Sequence, residues 1–177
     1  MPQILKNLGC NVIKINSNYS EDFGRSPEPT PKNLSQLCSK VIETNSDIGF
    51  ATDPDGDRLS IVDNKGKALG EEITLALSIF YVLKYFKEFR NVPIVTNLST
   101  SLISEKIASK YNTRIMRSSV GEINVVNRMQ KECALIGGEG NGGVILAESH
   151  LGRDSLVGAA IILNLISNES VLSLIHI

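Results

Sequence analysis

The densest chemistry in the chain lies at Asp53-Pro54-Asp55-Gly56-Asp57-Arg58. Three carboxylates at alternate positions follow a short apolar run at 48–51. A tight loop there aims all three at one point. Their mutual repulsion asks for a counter-charge, and hard oxygen donors suit Mg²⁺, which keeps further positions for water or phosphate. Arg58 adds a planar, permanently charged fork able to hold a phosphate oxygen beside the ion. Two other readings compete. An EF-hand needs glycine at its sixth loop position and glutamate at its twelfth. Counted from Asp53, those places hold Arg58 and Asn64, so that reading fails. A solvated acidic turn remains, but it gives no reason for a third aspartate and an arginine directly after a strand.

The run Gly137-Gly138-Glu139-Gly140-Asn141-Gly142-Gly143 is a second concentration of chemistry. It contains a literal GxGxxG at Gly138, Gly140 and Gly143, which taken alone points to a dinucleotide and an oxidoreductase. The context argues against that. Val144-Ile145-Leu146 continues as strand, so no helix N-terminus awaits a pyrophosphate. No acidic residue follows at about 20 positions, where a ribose partner belongs. A mobile glycine loop with one carboxylate and one amide suits neutral hydroxyls instead. Glu139 can accept from a pair of sugar hydroxyls, and Asn141 can donate and accept. A plain flexible hairpin is the alternative. Ser119-Val120-Gly121-Glu122 reads first as a capping box and second as a ligand contact. Thr100-Ser101 reads as a helix cap. In Gly152-Arg153-Asp154, Asp154 is favoured simply by standing at a helix N-terminus.

The elements that must position these groups alternate. Strands are expected at 12–15, 48–51, 59–62, 92–95, 113–116, 134–136 and 144–146. Thr30-Pro31 predicts a helix start, a hydroxyl N-cap followed by proline at the first position. Leu34, Leu37, Cys38, Val41 and Ile42 give that helix one apolar face. Further helices are expected over 71–89, 101–111, from Ser119 through Met129, and 156–166. The 71–89 segment holds five of the nine aromatics, read as packing rather than a ligand box. The alternation predicts an α/β fold with layered, largely parallel sheets, divided near Leu69 into two units.

Composition excludes several functions. The 177 residues carry 18 Lys+Arg against 19 Asp+Glu, a net charge of −1, which argues against a nucleic-acid partner. No apolar run approaches the roughly 18 residues of a membrane span, and no secretory signal opens the chain. Cys10, Cys38 and Cys133 are odd in number and far apart, which fits a reducing cytoplasmic compartment. Two histidines argue against a zinc site or a Ser-His-Asp hydrolase. The last six residues, 172–177, reverse-translate to a common sequencing-transposon end. We expect library read-through there and set His176 aside, a natural short strand being the alternative.

Taken in order, these residues resemble the α-D-phosphohexomutase family of phosphoglucomutases, phosphomannomutases and phosphoglucosamine mutases. Its metal loop is similar to Asp53–Arg58 and its sugar loop to Gly138–Gly143. Pro27-Glu28-Pro29, Val120-Gly121-Glu122 and Gly152-Arg153-Asp154 also fall where its patterns recur. The resemblance implies three-layer α/β/α domains with mixed, mostly parallel sheets. Residues 1–68 would be the later part of a second domain, 69–168 a third domain, and 169–177 a tail. It implies an isomerase, an intramolecular phosphotransferase. A phosphoserine in a first domain exchanges phosphate with a hexose phosphate through a hexose 1,6-bisphosphate, and a fourth domain clamps phosphate. By resemblance Asp53, Asp55 and Asp57 are Mg²⁺ ligands and Arg58 a phosphate contact. Glu139, Gly140, Asn141, Gly142, Glu122 and Arg153 would be sugar contacts. The chain holds neither the serine-histidine nucleophile loop nor the phosphate-clamping loop of the first and fourth domains, so it is expected to be inactive alone. Gly143 stands where some members carry histidine, which leaves amino-sugar preference open. A non-catalytic cation or sugar-phosphate binding module is the alternative outside enzymes.

Overall fold

The computed structural model describes residues 1–17 and 23–169, so the segment 172–177 lies outside the described residues. After a short helix α1 (Pro2–Asn7), helix α2 (Ser35–Glu43) covers an antiparallel pair, β1 (Ile48–Thr52) and β2 (Leu59–Asp63). The acidic loop joins these two strands. Leu34, Val41, Ala51 and Val62 form the small core between helix and strands. Two expectations fail in this unit. Residues 12–15 join no strand ladder, and Ile13 is 47% exposed, so the alternation there has no partner edge to pair with. The helix does not start at Pro31 either. Pro31–Asn33 forms a 3₁₀ turn, and the Asn33 amide donates to Thr30 Oγ1 and to the Glu28 carbonyl. The Thr30 hydroxyl is thereby used inside the turn, and α2 begins only at Ser35.

The second unit begins with α3 (Glu71–Tyr85), buried along most of its length, as a helix enclosed on all sides must be. A four-stranded mixed sheet follows, in the order β4 (Ile115–Ser118), β3 (Ile94–Asn97), β5 (Ile136–Glu139), β6 (Gly143–Leu146). β3 runs parallel to β4 and β5, while β6 is antiparallel to β5. Side chains alternate across the sheet with period two. Ile94, Ile136 and Val144 face α3, α4 (Ile103–Lys110) and α6 (Ser155–Glu169). Val95 and Ile145 face α5 (Glu122–Glu132) through Val125, Val126 and Met129. Three α/β/α layers result. Ile61 of β2 belongs to the same core as α3, which fuses the two units. Helix α3 stops before Phe86, and a 3₁₀ turn (Lys87–Arg90) follows. Tyr81, Tyr85, Phe86 and Phe89 pack ring on ring at 5.1–6.1 Å. Among the described residues no helix is long and apolar enough to cross a membrane.

Three strands lie about two residues further along the chain than their apolar residues foretell. The expected 92–95, 113–116 and 134–136 become Ile94–Asn97, Ile115–Ser118 and Ile136–Glu139. A ladder is indifferent to side-chain polarity where the polar tips meet one another. Asn97, Ser118 and Glu139 are all buried at one end of the sheet.

The units meet at the tip of the β5–β6 hairpin. The Leu59 N–H, at the start of β2, donates to the Gly142 carbonyl at 3.1 Å. Gly142 has φ +93°, and a Cβ there would lie 2.5 Å from the Leu59 carbonyl oxygen. That oxygen also accepts from Thr74 Oγ1 at 2.6 Å. We expect Gly142→Ala to lower unfolding free energy by roughly 2 kcal/mol in urea titrations. Gly70 has φ +89° but nothing within 4 Å, so Gly70→Ala should cost about 1 kcal/mol and serves as the control for strain alone.

Candidate functional site

The β1–β2 loop is wound around Asp53. Its Oδ1 accepts from the backbone N–H groups of Asp57 and Arg58, both at 3.1 Å, and its Oδ2 accepts from Arg58 Nε at 2.5 Å. These bonds coil the loop so that the side chains of Asp53, Asp55 and Asp57 converge. One oxygen from each lies within 4.8 Å of the others. Asp53 is buried, Asp57 half-buried and Asp55 exposed, so the group opens to solvent on one side. Burial works against the Asp53 charge, but the Arg58 side chain and backbone outweigh it and hold its pKa below the ordinary value. Asp57 goes the other way. Burial, the close approach of its side chain to Asp53 and the neighbouring carboxylates push its pKa up to about 6, against the opposing pull of Arg153. Asp57 Oδ1 is buried without a hydrogen-bond partner. An all-oxygen set with one orphaned buried atom and excess negative charge fits a hard divalent cation.

The glycine loop is a tight hairpin with three residues in its turn, Gly140, Asn141 and Gly142. It is not the free loop expected from its glycines. Glu139 is 3% exposed, the last residue of β5, and both its oxygens are engaged. Oε1 accepts from the Asn97 amide at 2.6 Å and from the Gly121 N–H at 3.0 Å. Oε2 accepts from Arg153 Nη1 at 2.7 Å. Asn141 Oδ1 accepts from the Gly143 N–H and closes its own turn. The Gly140 N–H donates to Thr100 Oγ1 at 3.0 Å.

Two local readings change. Glu122 caps no helix, because Gly121 with φ +109° holds the N-cap position and no side chain bonds there. Its Oε1 instead accepts the Arg153 N–H at 2.7 Å. Of the pair Thr100-Ser101, it is Ser101 whose Oγ accepts from the Ile103 N–H at the start of α4, at 3.4 Å; Thr100 serves elsewhere. Its hydroxyl donates to Asn97 Oδ1 at 2.8 Å and receives Gly140. Asp154 does cap α6, accepting from the Leu156 and Val157 N–H groups at 2.6 and 3.3 Å.

Arg153 draws the two loops together. Its Nη2 binds Asp57 Oδ2, its Nη1 binds Glu139 Oε2, and its Nε lies 3.6 Å from Glu122 Oε2. The Ser155 N–H adds a backbone link to the Gly56 carbonyl at 3.2 Å. Asp57, Glu122, Glu139 and Arg153, remote in sequence, thus form one cluster. Asn97 and Arg117 went unremarked in the sequence. Arg117 Nη1 donates to the Asn97 and Thr100 carbonyls at 2.7 and 2.5 Å and so fixes the loop that carries Asn97. The signal for Asn97 was its place at the C-terminal end of a parallel strand, where α/β proteins put their polar site residues.

Comparison with known proteins gives a consistent result. Residues 1–66 match the family model for phosphoglucomutase/phosphomannomutase α/β/α domain II, and residues 70–176 match that for domain III. A phosphoglucomutase/phosphomannomutase of Thermococcus kodakarensis is 33% identical over 170 residues, 96% of this chain and 37% of that protein. A phosphoglucosamine/phosphogalactosamine mutase of Sulfurisphaera tokodaii is 33% identical over 174 residues, 97% of this chain and 38% of that protein. The crystal structure of a phosphoglucomutase/phosphomannomutase family protein from Burkholderia thailandensis superimposes with a TM-score of 0.85 at 25% identity. That match covers 97% of this chain and 38% of the other. The chain therefore spans little more than a third of the length of these relatives.

The raised Asp57 pKa has a consequence for stability. The protonated carboxyl is favoured in the folded state, so its contribution is complete below the ordinary value of 3.8 and is lost as pH rises through about 6. In chelator, the melting temperature of the chain should fall across that window by more than it does in Asp57→Asn. Parallel profiles in a differential scanning experiment would refute the assignment.

Proposed function

The chain belongs to the phosphoglucomutase/phosphomannomutase family, and on that premise we propose that it is the cation-binding and sugar-recognising part of a mutase. The whole enzyme would interconvert hexose 1-phosphate and hexose 6-phosphate through a phosphoserine and a hexose 1,6-bisphosphate, the serine lying in segments outside this chain. One observation carries the reading: an acidic loop and a glycine hairpin, each suited to one half of a hexose phosphate, are docked on each other by the Leu59–Gly142 bond and by Arg153.

Asp53, Asp55 and Asp57 would hold the ion, for which the oxygen donor set favours Mg²⁺. Bound there, it would supply positive charge against a phosphoryl group in transfer. Arg58 keeps Asp53 ionised through Nε, and the rest of its fork is the part that would meet a phosphate oxygen. Glu139 and Asn141 would meet sugar hydroxyls, with the backbone of Gly140 and Gly142 shaping the turn. Asn97 and the Gly121 N–H hold Glu139 Oε1 in place for that task. Glu122 and Arg153 would border the sugar. The sequence from 1 to 68 would be the later part of domain II and that from 69 to 168 domain III.

Two outcomes follow. The purified chain alone should convert no glucose 1-phosphate to glucose 6-phosphate in a coupled dehydrogenase assay, and measurable turnover would overturn the division of labour. In the full-length enzyme, Asp55→Asn should lower kcat by about 100-fold or more with an unchanged circular dichroism spectrum. Normal turnover would refute the metal assignment.

A further inference from the structure

The guanidinium of Arg153 touches three carboxylates from three separate elements: Asp57 in the acidic loop, Glu139 at the hairpin and Glu122 at the start of α5. Its side chain is only 16% exposed, so these charges face each other with little water between them. One positive charge is shared among three negative ones, and the set is not saturated. Arg153 Nε and Asp57 Oδ1 are both buried without a hydrogen-bond partner. A fully paired structural bridge would leave neither. Asp57 is also the one member of the acidic triad that Arg153 reaches, across 96 positions of sequence.

We propose that Arg153 is a competing counter-charge for Asp57: a divalent cation at the triad weakens the guanidinium's contact with Asp57 and leaves it on Glu139 and Glu122, which it already touches. A cation at the triad and a guanidinium on Asp57 repel each other at close range, where the local dielectric screens poorly. The guanidinium has two carboxylates to fall back on, and one of them is the hairpin's. The state of the cation site is thereby felt in the hairpin, through one side chain and without any movement of the sheet. Arg153 is on this account a positioning residue rather than a catalytic one. The inference rests on reading Asp53, Asp55 and Asp57 as a cation site.

The test uses the full chain, stripped with chelator. Mn²⁺ affinity is measured by the electron paramagnetic resonance of free Mn²⁺, and the amides of Gly138, Gly140, Gly142 and Gly143 are followed by NMR during Mg²⁺ titration. Arg153→Met should bind Mn²⁺ at least about 5-fold tighter than wild type, and Arg153→Lys should stay within about 2-fold, because the charge rather than the fork opposes the ion. The glycine amides should shift with Mg²⁺ in wild type and not in Arg153→Met. Equal or weaker Mn²⁺ binding by Arg153→Met, or undiminished amide shifts, overturns the proposal. Should that variant not fold, Arg153→Gln keeps a polar side chain without the charge and should bind Mn²⁺ several-fold tighter; equal or weaker affinity overturns the proposal equally. Failure of wild type to bind Mn²⁺ defeats the cation-site reading and this inference together. Binding that Asp55→Asn abolishes but Arg153→Met leaves unchanged defeats this inference alone.

Discussion

The arrangement depends on the close approach of two backbones, Leu59 at the start of β2 and Gly142 at the tip of the β5–β6 hairpin. Their N–H···O bond spans 3.1 Å, and no side chain can stand between them. It brings a loop of one unit against a turn of the other. It also places Arg153, just past β6, within reach of Asp57. Ile61 in the α3 core and the Ser155–Gly56 bond secure the same junction, so the carboxylates of the two loops are held together by packing as well as by this contact.

Once the loops are together, electrostatics becomes the controlling problem. Asp53, Asp55 and Asp57 converge, and Glu139 and Glu122 stand nearby. The fold answers with two arginines that work differently. Arg58 comes from the acidic loop itself and locks Asp53 in its ionised form while winding the backbone. Arg153 comes from the other unit and spreads one charge over three acids. Asp57 carries what remains of the problem: burial first, and the neighbouring carboxylates after it, push its pKa up to about 6. The two arginines oppose the repulsion that would spread the loop and so hold the three aspartates convergent.

The glycines show how a sequence pattern can be right about location and wrong about mechanism. Gly138, Gly140 and Gly143 spell a dinucleotide motif, yet the following residues Val144-Ile145-Leu146 turn back as β6. Their smallness lets Gly138 approach the Gly143 carbonyl and Gly140 the Thr100 backbone, and it leaves room at Gly143 for the Arg153 side chain, rather than for a pyrophosphate. Likewise Ser119 and Glu122 have capping-box spacing, but Gly121 takes the cap position and frees Glu122 to meet Arg153. In both cases the local pattern left two uses open, and a partner remote in sequence selected one.

Local physics determined much of this protein before any folding was considered. The alternation of apolar runs gave the α/β layers, because periodicity records which face each element buries. The Asp53-Asp55-Asp57 spacing gave the acidic convergence, because three charges within five residues cannot be far apart. The polar ends of the strands were not legible: Asn97 and Glu139 lie 42 positions apart, and each by itself reads as loop. Only the parallel pairing of β3 with β5 sets them side by side, where mutual hydrogen bonding allows both to be buried. The same holds for Arg153 and Asp57. Their types and positions are in the sequence, but the pairing of their charges exists only because tertiary packing removed the water between them.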